Sequence, residues 1–117
     1  MNLFIFRQSP YGTSFTAEGL RVLSSFVAFD MDVAVLFTDD GVFSLKRGQD
    51  PHELEMKSIG EGIEMVTGLG IEKILVSRES LEERGLNTEE LMDVKMQVLT
   101  INEIQNLMDE ADIILTF

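Results

Sequence analysis

Asp32-Val33-Ala34-Val35-Leu36-Phe37-Thr38 is the stretch on which the fold turns. From Val33 to Phe37 every residue is apolar, with no polar alternate. A strand with one face in water alternates apolar and polar residues, whereas a strand covered by helices on both faces does not. The run therefore predicts a strand buried inside a parallel sheet. Working outward, Leu3 to Phe6, Lys73 to Val76, Met96 to Leu99 and Ile113 to Phe117 have the same continuous character. Together they predict a three-layer α/β sandwich, a five-stranded parallel sheet with helices on both faces.

The segments between these runs have helical periodicity. After Thr16, residues Ala17, Leu20, Leu23 and Val27 recur at helical spacing. Val22, Phe26 and Phe29 widen that stripe, which predicts a deeply packed helix. A second helix spans Ser58 to Leu69, with Ile59, Ile63 and Val66 on one face. Its Gly60 and Gly62 each cost about 1 kcal/mol relative to alanine; close contact with the sheet is the favoured reading of them and a functional hinge the rival. A third, short helix runs from Glu79 to Arg84 and stops at Gly85. The last begins with Thr100 as N-cap and Glu103 three residues on, a capping box, and continues through Ile101, Ile104, Leu107, Met108 and Ala111. Right-handed crossovers then limit the strand order to a flavodoxin-like arrangement or a close variant.

The whole chain, residues 1–117, fits one domain. Twenty-one acidic against nine basic residues give a net charge of −12, so a nucleic-acid backbone meets repulsion rather than a binding surface. No apolar run reaches the roughly 20 residues needed to cross a bilayer, and the N-terminus lacks the pattern of a secretion signal, which points to the cytoplasm. There is no cysteine. That removes disulfides, thiolate metal sites, iron–sulfur clusters and cysteine nucleophiles together.

In a doubly wound domain ligands bind beyond the carboxyl ends of the strands, here the loops Arg7 to Ser14, Thr38 to Gly41 and Ser77 to Glu79. Ser9, Tyr11, Gly12, Asp39 and Ser77 are the candidate pocket residues. The first loop leads from strand into helix and could hold an anion on backbone amides. It has neither G-x-G-x-x-G nor a P-loop, and a capped turn is the favoured reading. Asp30, Asp32, Asp39 and Asp40 flank the second strand at opposite ends and cannot converge on a metal. Asp39-Asp40-Gly41 reads as a turn and helix start. His52, the single histidine, has no second histidine or cysteine to complete a metal site or a triad. No metal or other cofactor is implied, and no serine has a recognisable base. Val42, Phe43 and Leu45 form an apolar segment bounded by glycines. Packing on the chain's own sheet is slightly favoured for them, with a subunit interface as the rival. The seven methionines and eight phenylalanines read as core filler.

The order of several short segments is familiar. Ser9-Pro10-Tyr11-Gly12-Thr13, Glu18-Gly19-Leu20, Asp39-Asp40-Gly41-Val42-Phe43 with Gly48-Gln49, Leu81-Glu82-Glu83-Arg84-Gly85-Leu86 and the ending Ala111-Asp112-Ile113-Ile114-Leu115-Thr116-Phe117 follow one another as in the DsrE/DsrF/DsrH family of sulfur-relay proteins. The chain resembles the TusC/DsrF branch of that family over nearly its whole length. The resemblance implies a flavodoxin-like subunit of a hetero-oligomer with TusB/DsrH-like and TusD/DsrE-like chains, with a homo-oligomer open to the isolated chain. Such complexes pass persulfide sulfur toward tRNA wobble-uridine thiolation or serve sulfur oxidation. Aligning Val76 and Arg84-Gly85 with the family's motif puts Ser77 in the place of the relay cysteine. An alcohol oxygen cannot carry a persulfide, so the resemblance implies a non-catalytic accessory subunit. A stand-alone small-molecule or anion binder is the rival reading, and an enzyme with a serine or carboxylate mechanism ranks below both.

Overall fold

The computed structural model describes residues 1–48 and 59–117. Gln49, His52 and Ser58 lie outside them. Five strands form one sheet: β1 (Asn2–Phe6), β2 (Val33–Phe37), β3 (Ile74–Ser77), β4 (Gln97–Leu99) and β5 (Ile113–Thr116). Every neighbouring pair is parallel, in the order β4-β3-β2-β1-β5. The continuous apolar runs all became strands, buried in β1, β2 and β3 as they predict, whereas β4 and β5 at the two edges of the sheet are largely exposed. All five residues of β2 are buried, and it pairs with both β1 and β3.

The helices are α1 (Phe15–Ala28), α2 (Ile59–Gly68), α3 (Arg78–Glu83) and α4 (Ile101–Glu110), with short 3-10 helices at Asp39–Leu45 and Thr88–Glu90. Their distribution follows from the strand order. The steps β1→β2→β3→β4 all run in one direction across the sheet, so right-handed crossovers put their helices on one face. The step β4→β5 returns over the whole sheet and puts α4 on the other. The cores agree with this. Phe4, Phe6, Val35, Phe37, Ile74 and Val76 pack with Leu20 and Leu23 of α1, Ile59, Ile63 and Val66 of α2, Val42, Leu45 and Leu81. On the opposite face, among the described residues, Leu3, Ile5, Ala34, Leu36, Leu75 and Leu99 pack with Ile104, Leu107 and Ala111, together with Met1. The strand order is thus a close variant of the flavodoxin arrangement: β1 is flanked by β2 and β5, and among the described residues α4 is the helix that covers the second face.

Some packing differs from expectation. The α1 stripe is narrower than the apolar periodicity suggests, because Val22 and Phe29 are exposed while Leu20 and Leu23 are buried. Ile101 and Met108 of α4 are exposed as well. Gly19 of α1 permits close helix-to-sheet contact, since a Cβ there would stand 2.5 Å from the Phe6 ring and 2.7 Å from that of Phe117. Gly62 faces α1 rather than the sheet, with Leu20 Cδ1 at 3.2 Å from the place of its missing Cβ. Beneath α1 the aromatic rings interlock, Phe6 with Phe37 at 5.2 Å and with Phe117 at 5.6 Å, and Phe4 edge-on to Phe26 at 5.0 Å.

Candidate functional site

The registers Phe6↔Phe37 and Phe37↔Val76 align the carboxyl ends of β1, β2 and β3, so the segments that leave them meet at one rim. The 3-10 helix at Asp39–Leu45 sits directly on the end of β1. A Cβ on Gly41 would be 1.9 Å from the Phe6 carbonyl oxygen, so only glycine lets this turn seat there. Asp39 adopts φ 52°, a left-handed conformation that aspartate tolerates better than most residues. Its carboxylate accepts from Arg7 Nε at 2.9 Å, and its backbone N–H donates to Ser80 Oγ at 2.9 Å. The turn and helix start read from Asp39-Asp40-Gly41 is what forms.

Ser80 is the centre of this rim. Its hydroxyl lies 3.2 Å from Thr38 Oγ1, while its backbone N–H donates to Ser77 Oγ at 3.2 Å. Ser77, buried at the last position of β3, is therefore the N-cap of α3. Arg84 closes the other end of α3, donating to Asp40 Oδ1 at 3.0 Å and to the Ser80 carbonyl at 3.4 Å. Asp39 and Ser77 are thus joined through a residue that neither motif nor periodicity singled out. The local signal for it was the spacing Ser77-x-x-Ser80, a serine N-cap pattern. Its link to Thr38, forty-two positions away, has no local signal at all.

The other candidates have different work. The hydroxyl of Tyr11 accepts the backbone N–H of Ile59 at 3.0 Å and so ties the first loop to α2. The carbonyl of Ser9 accepts from Thr16 Oγ1 at 3.4 Å. Gly12 has φ 91°, is exposed and has open space around it. At the junction of β1 and β5, where the strand order reverses, the Phe117 carbonyl accepts the N–H groups of Arg7 at 2.6 Å and Gln8 at 3.3 Å. Those two amides are thus engaged within the chain, while at the start of α1 the side chain of Ser14 makes no capping hydrogen bond. Val42 and Leu45 are fully buried in the chain's own core, and Phe43 packs partly against it.

Chemically, the rim is a network of caps and exposed ion pairs. Ser77 Oγ accepts a backbone N–H, and the hydrogen bonds of the described residues give it no general base, the partner an activated serine requires. Among the described residues no group of three or more His, Cys, Asp or Glu is placed to hold a metal ion. No helix among them is long and apolar enough to cross a membrane.

An all-parallel five-stranded sheet in the order β4-β3-β2-β1-β5, with helices on both faces, defines a class of small doubly wound α/β proteins whose ligand sites lie beyond the carboxyl ends of the strands. The chain belongs to the DsrE/DsrF-like family, whose model matches residues 2–117. It is 34% identical to the intracellular sulfur oxidation protein DsrF of Allochromatium vinosum, across 98% of this chain and 94% of that one. It is 35% identical to the TusC homolog of Pseudomonas aeruginosa, across 97% and 95%. The fold is also that of the ychN protein from E. coli, with a TM-score of 0.86 at 24% identity, covering 99% of this chain and 97% of that one. Within the family the chain is a member of the TusC/DsrF group.

Proposed function

We propose that this chain is a non-catalytic accessory subunit of an intracellular sulfur-relay complex, acting in the cytoplasm beside a cysteine-bearing TusD/DsrE-like chain and a TusB/DsrH-like chain. The observation that carries the reading is Ser77. At the end of β3, where the family resemblance puts the relay cysteine, stands a buried hydroxyl engaged as a helix cap, in a chain with no cysteine anywhere. A persulfide needs a sulfur to hold it, so the sulfur travels on the partner and this subunit positions that partner. Of the apolar segment Val42, Phe43 and Leu45, Phe43 is the residue left to reach a neighbour, with Tyr11's loop beside the start of α2 as the adjoining surface.

Toward tRNA wobble-uridine 2-thiolation is the direction we assign to the relay, on the similarity to TusC homologs. The similarity to DsrF favours a second reading, a subunit of a sulfur-oxidation complex. The stand-alone binder has less support, since the amides of Arg7 and Gln8 and the hydroxyl of Tyr11 are engaged internally.

Native mass spectrometry of the chain alone and co-expressed with TusB-like and TusD-like chains from the same source tests the reading. A stoichiometric hetero-complex is expected, weakened by Phe43→Asp. A chain indifferent to both partners overturns it. Loss of 2-thiouridine from tRNA on deleting the gene separates thiolation from sulfur oxidation.

A further inference from the structure

The two edges of the sheet are unlike. The β4 edge is short, and its exposed positions are the polar Gln97 and, just before it, Lys95, with Met96 and Val98 half-covered. Polar and lysine-bearing edges discourage pairing with other chains. The β5 edge has Asp112 just before it and the exposed Thr116 at its end, but apolar residues between them. Ile113 is 49% and Ile114 39% exposed, on opposite faces of the sheet, since Ile114 shares the face of Leu3 and Leu115 that of Phe4.

Both helices next to that edge turn apolar side chains toward it. On α1, Phe15, Val22 and Phe29 recur every seven residues, so they form one stripe. They are 51%, 36% and 80% exposed. Helical geometry puts this stripe on the flank opposite Leu20, the residue that meets α2 at Gly62, and Gly19 beside it lies over Phe117 at the end of β5. The stripe therefore looks toward β5. On α4, Ile101 and Met108 form a second exposed stripe. The opposite flank of α4, Glu103, Asn106 and Glu110, lines a cleft with Lys73, Leu75 and Gln97 on the β3 and β4 side. Ile101 and Met108 therefore also look toward β5. The result is a set of exposed apolar side chains on both faces of a strand that, among the described residues, has no neighbour on its outer side.

The charges around this set determine what fits it. Glu18, Asp30 and Asp109, all exposed, stand around it with Arg21, while the nearby Asp112 is paired with the N-terminal amine and Arg7, beside Phe117, with Asp39. A second copy of this chain would bring the same acidic border, and another net charge of −12, against the first. We propose that the β5 edge is the docking face for a different protein chain, whose complementary surface is apolar and rimmed by lysine or arginine. The proposal rests on the subunit reading above and names the face that one of the partner subunits covers.

The test uses the full chain co-expressed with its TusB-like and TusD-like partners, comparing wild type with Phe29→Lys, Val22→Lys and Phe29→Glu. Phe29 and Val22 point to solvent, so circular dichroism and the melting temperature should match wild type in all three. Expected are at least a tenfold rise in Kd for both lysine variants, a smaller rise for Phe29→Glu, and weaker binding as salt goes from about 50 to about 500 mM. If wild type assembles and the lysine variants assemble equally well, the β5 face is overturned and the subunit reading stands. If wild type binds neither partner, both fall. If wild type instead forms a homodimer that Phe29→Lys dissolves, the face is right but its occupant is a second copy, and the proposal is overturned in that respect.

Discussion

Ser77 holds α3 by its hydroxyl, and the role assigned to it predicts a split between stability and function. Ser77→Ala removes an N-cap and leaves the Ser80 N–H without its partner. The expected cost is about 1 kcal/mol in chemical denaturation. Sulfur transfer through the reconstituted complex should keep its wild-type rate once the variant is folded. A loss of transfer far beyond the loss of folded protein would mean that the hydroxyl takes part in chemistry, and the accessory reading would fail at its centre. The place of Ser77 at the end of the third apolar run was legible from the sequence, but its capping role was not, because the periodicity starts the helix at Glu79 rather than Arg78. Ser80 and Thr38 were not legible: their hydroxyls meet across two loops whose contact depends on strand register. Register is a property of the whole sheet that no short window of sequence contains.

Among the elements, α4 has most resting on it, since of the described helices it is the one that covers the face made by Leu3, Ile5, Leu36 and Leu99. Its capping box is complete: Thr100 Oγ1 accepts the Glu103 N–H at 3.4 Å, and Glu103 accepts the Thr100 backbone N–H at 3.1 Å. That backbone bond, then the Thr100 hydroxyl, holds the Glu103 carboxyl below its ordinary value. A carboxylate depressed in the folded state adds stability above its unfolded pKa, about 4.3, and loses it as pH falls through the folded value. Wild type should therefore exceed Glu103→Gln in stability at neutral pH, and the gap should close on acidification below pH about 4. Denaturant midpoints measured across that range check this. Asp112, lowered by its bond to the N-terminal amine, shifts the absolute curve in the same sense, so the difference between the two proteins is the informative quantity. The capping box was readable directly, as a local pattern with local partners. The width of the buried stripes was not. Periodicity counts Val22 and Phe29, or Ile101 and Met108, as core-facing, but each helix lies beside an open edge and has sheet under only part of its apolar arc.

For the whole molecule, continuous apolar runs settled the fold class and handedness narrowed the topology, while the place of β5 beside β1 was hidden. A last strand next to β4 would satisfy the same runs and the same short turns. The choice depends on α4 crossing an entire face, which its periodicity does not reveal. That choice leaves an apolar edge on a strongly acidic body, and the two properties respond to salt in opposite ways. Self-repulsion among twenty-one carboxylates against nine cations destabilises the compact chain, and ions screen it within a Debye length of roughly 10 Å at 0.1 M. The melting temperature of the isolated chain should therefore rise with sodium chloride, by about 4 °C for each kcal/mol recovered. The complex with a basic-rimmed partner should dissociate more readily over the same range, because screening then removes an attraction. Thermal melts of the free chain and equilibrium binding of the complex, run in the same buffers, give the two signs independently. Melting that falls with salt would show that the charge is already neutralised within the fold, and the electrostatic case for a basic partner would lose its basis.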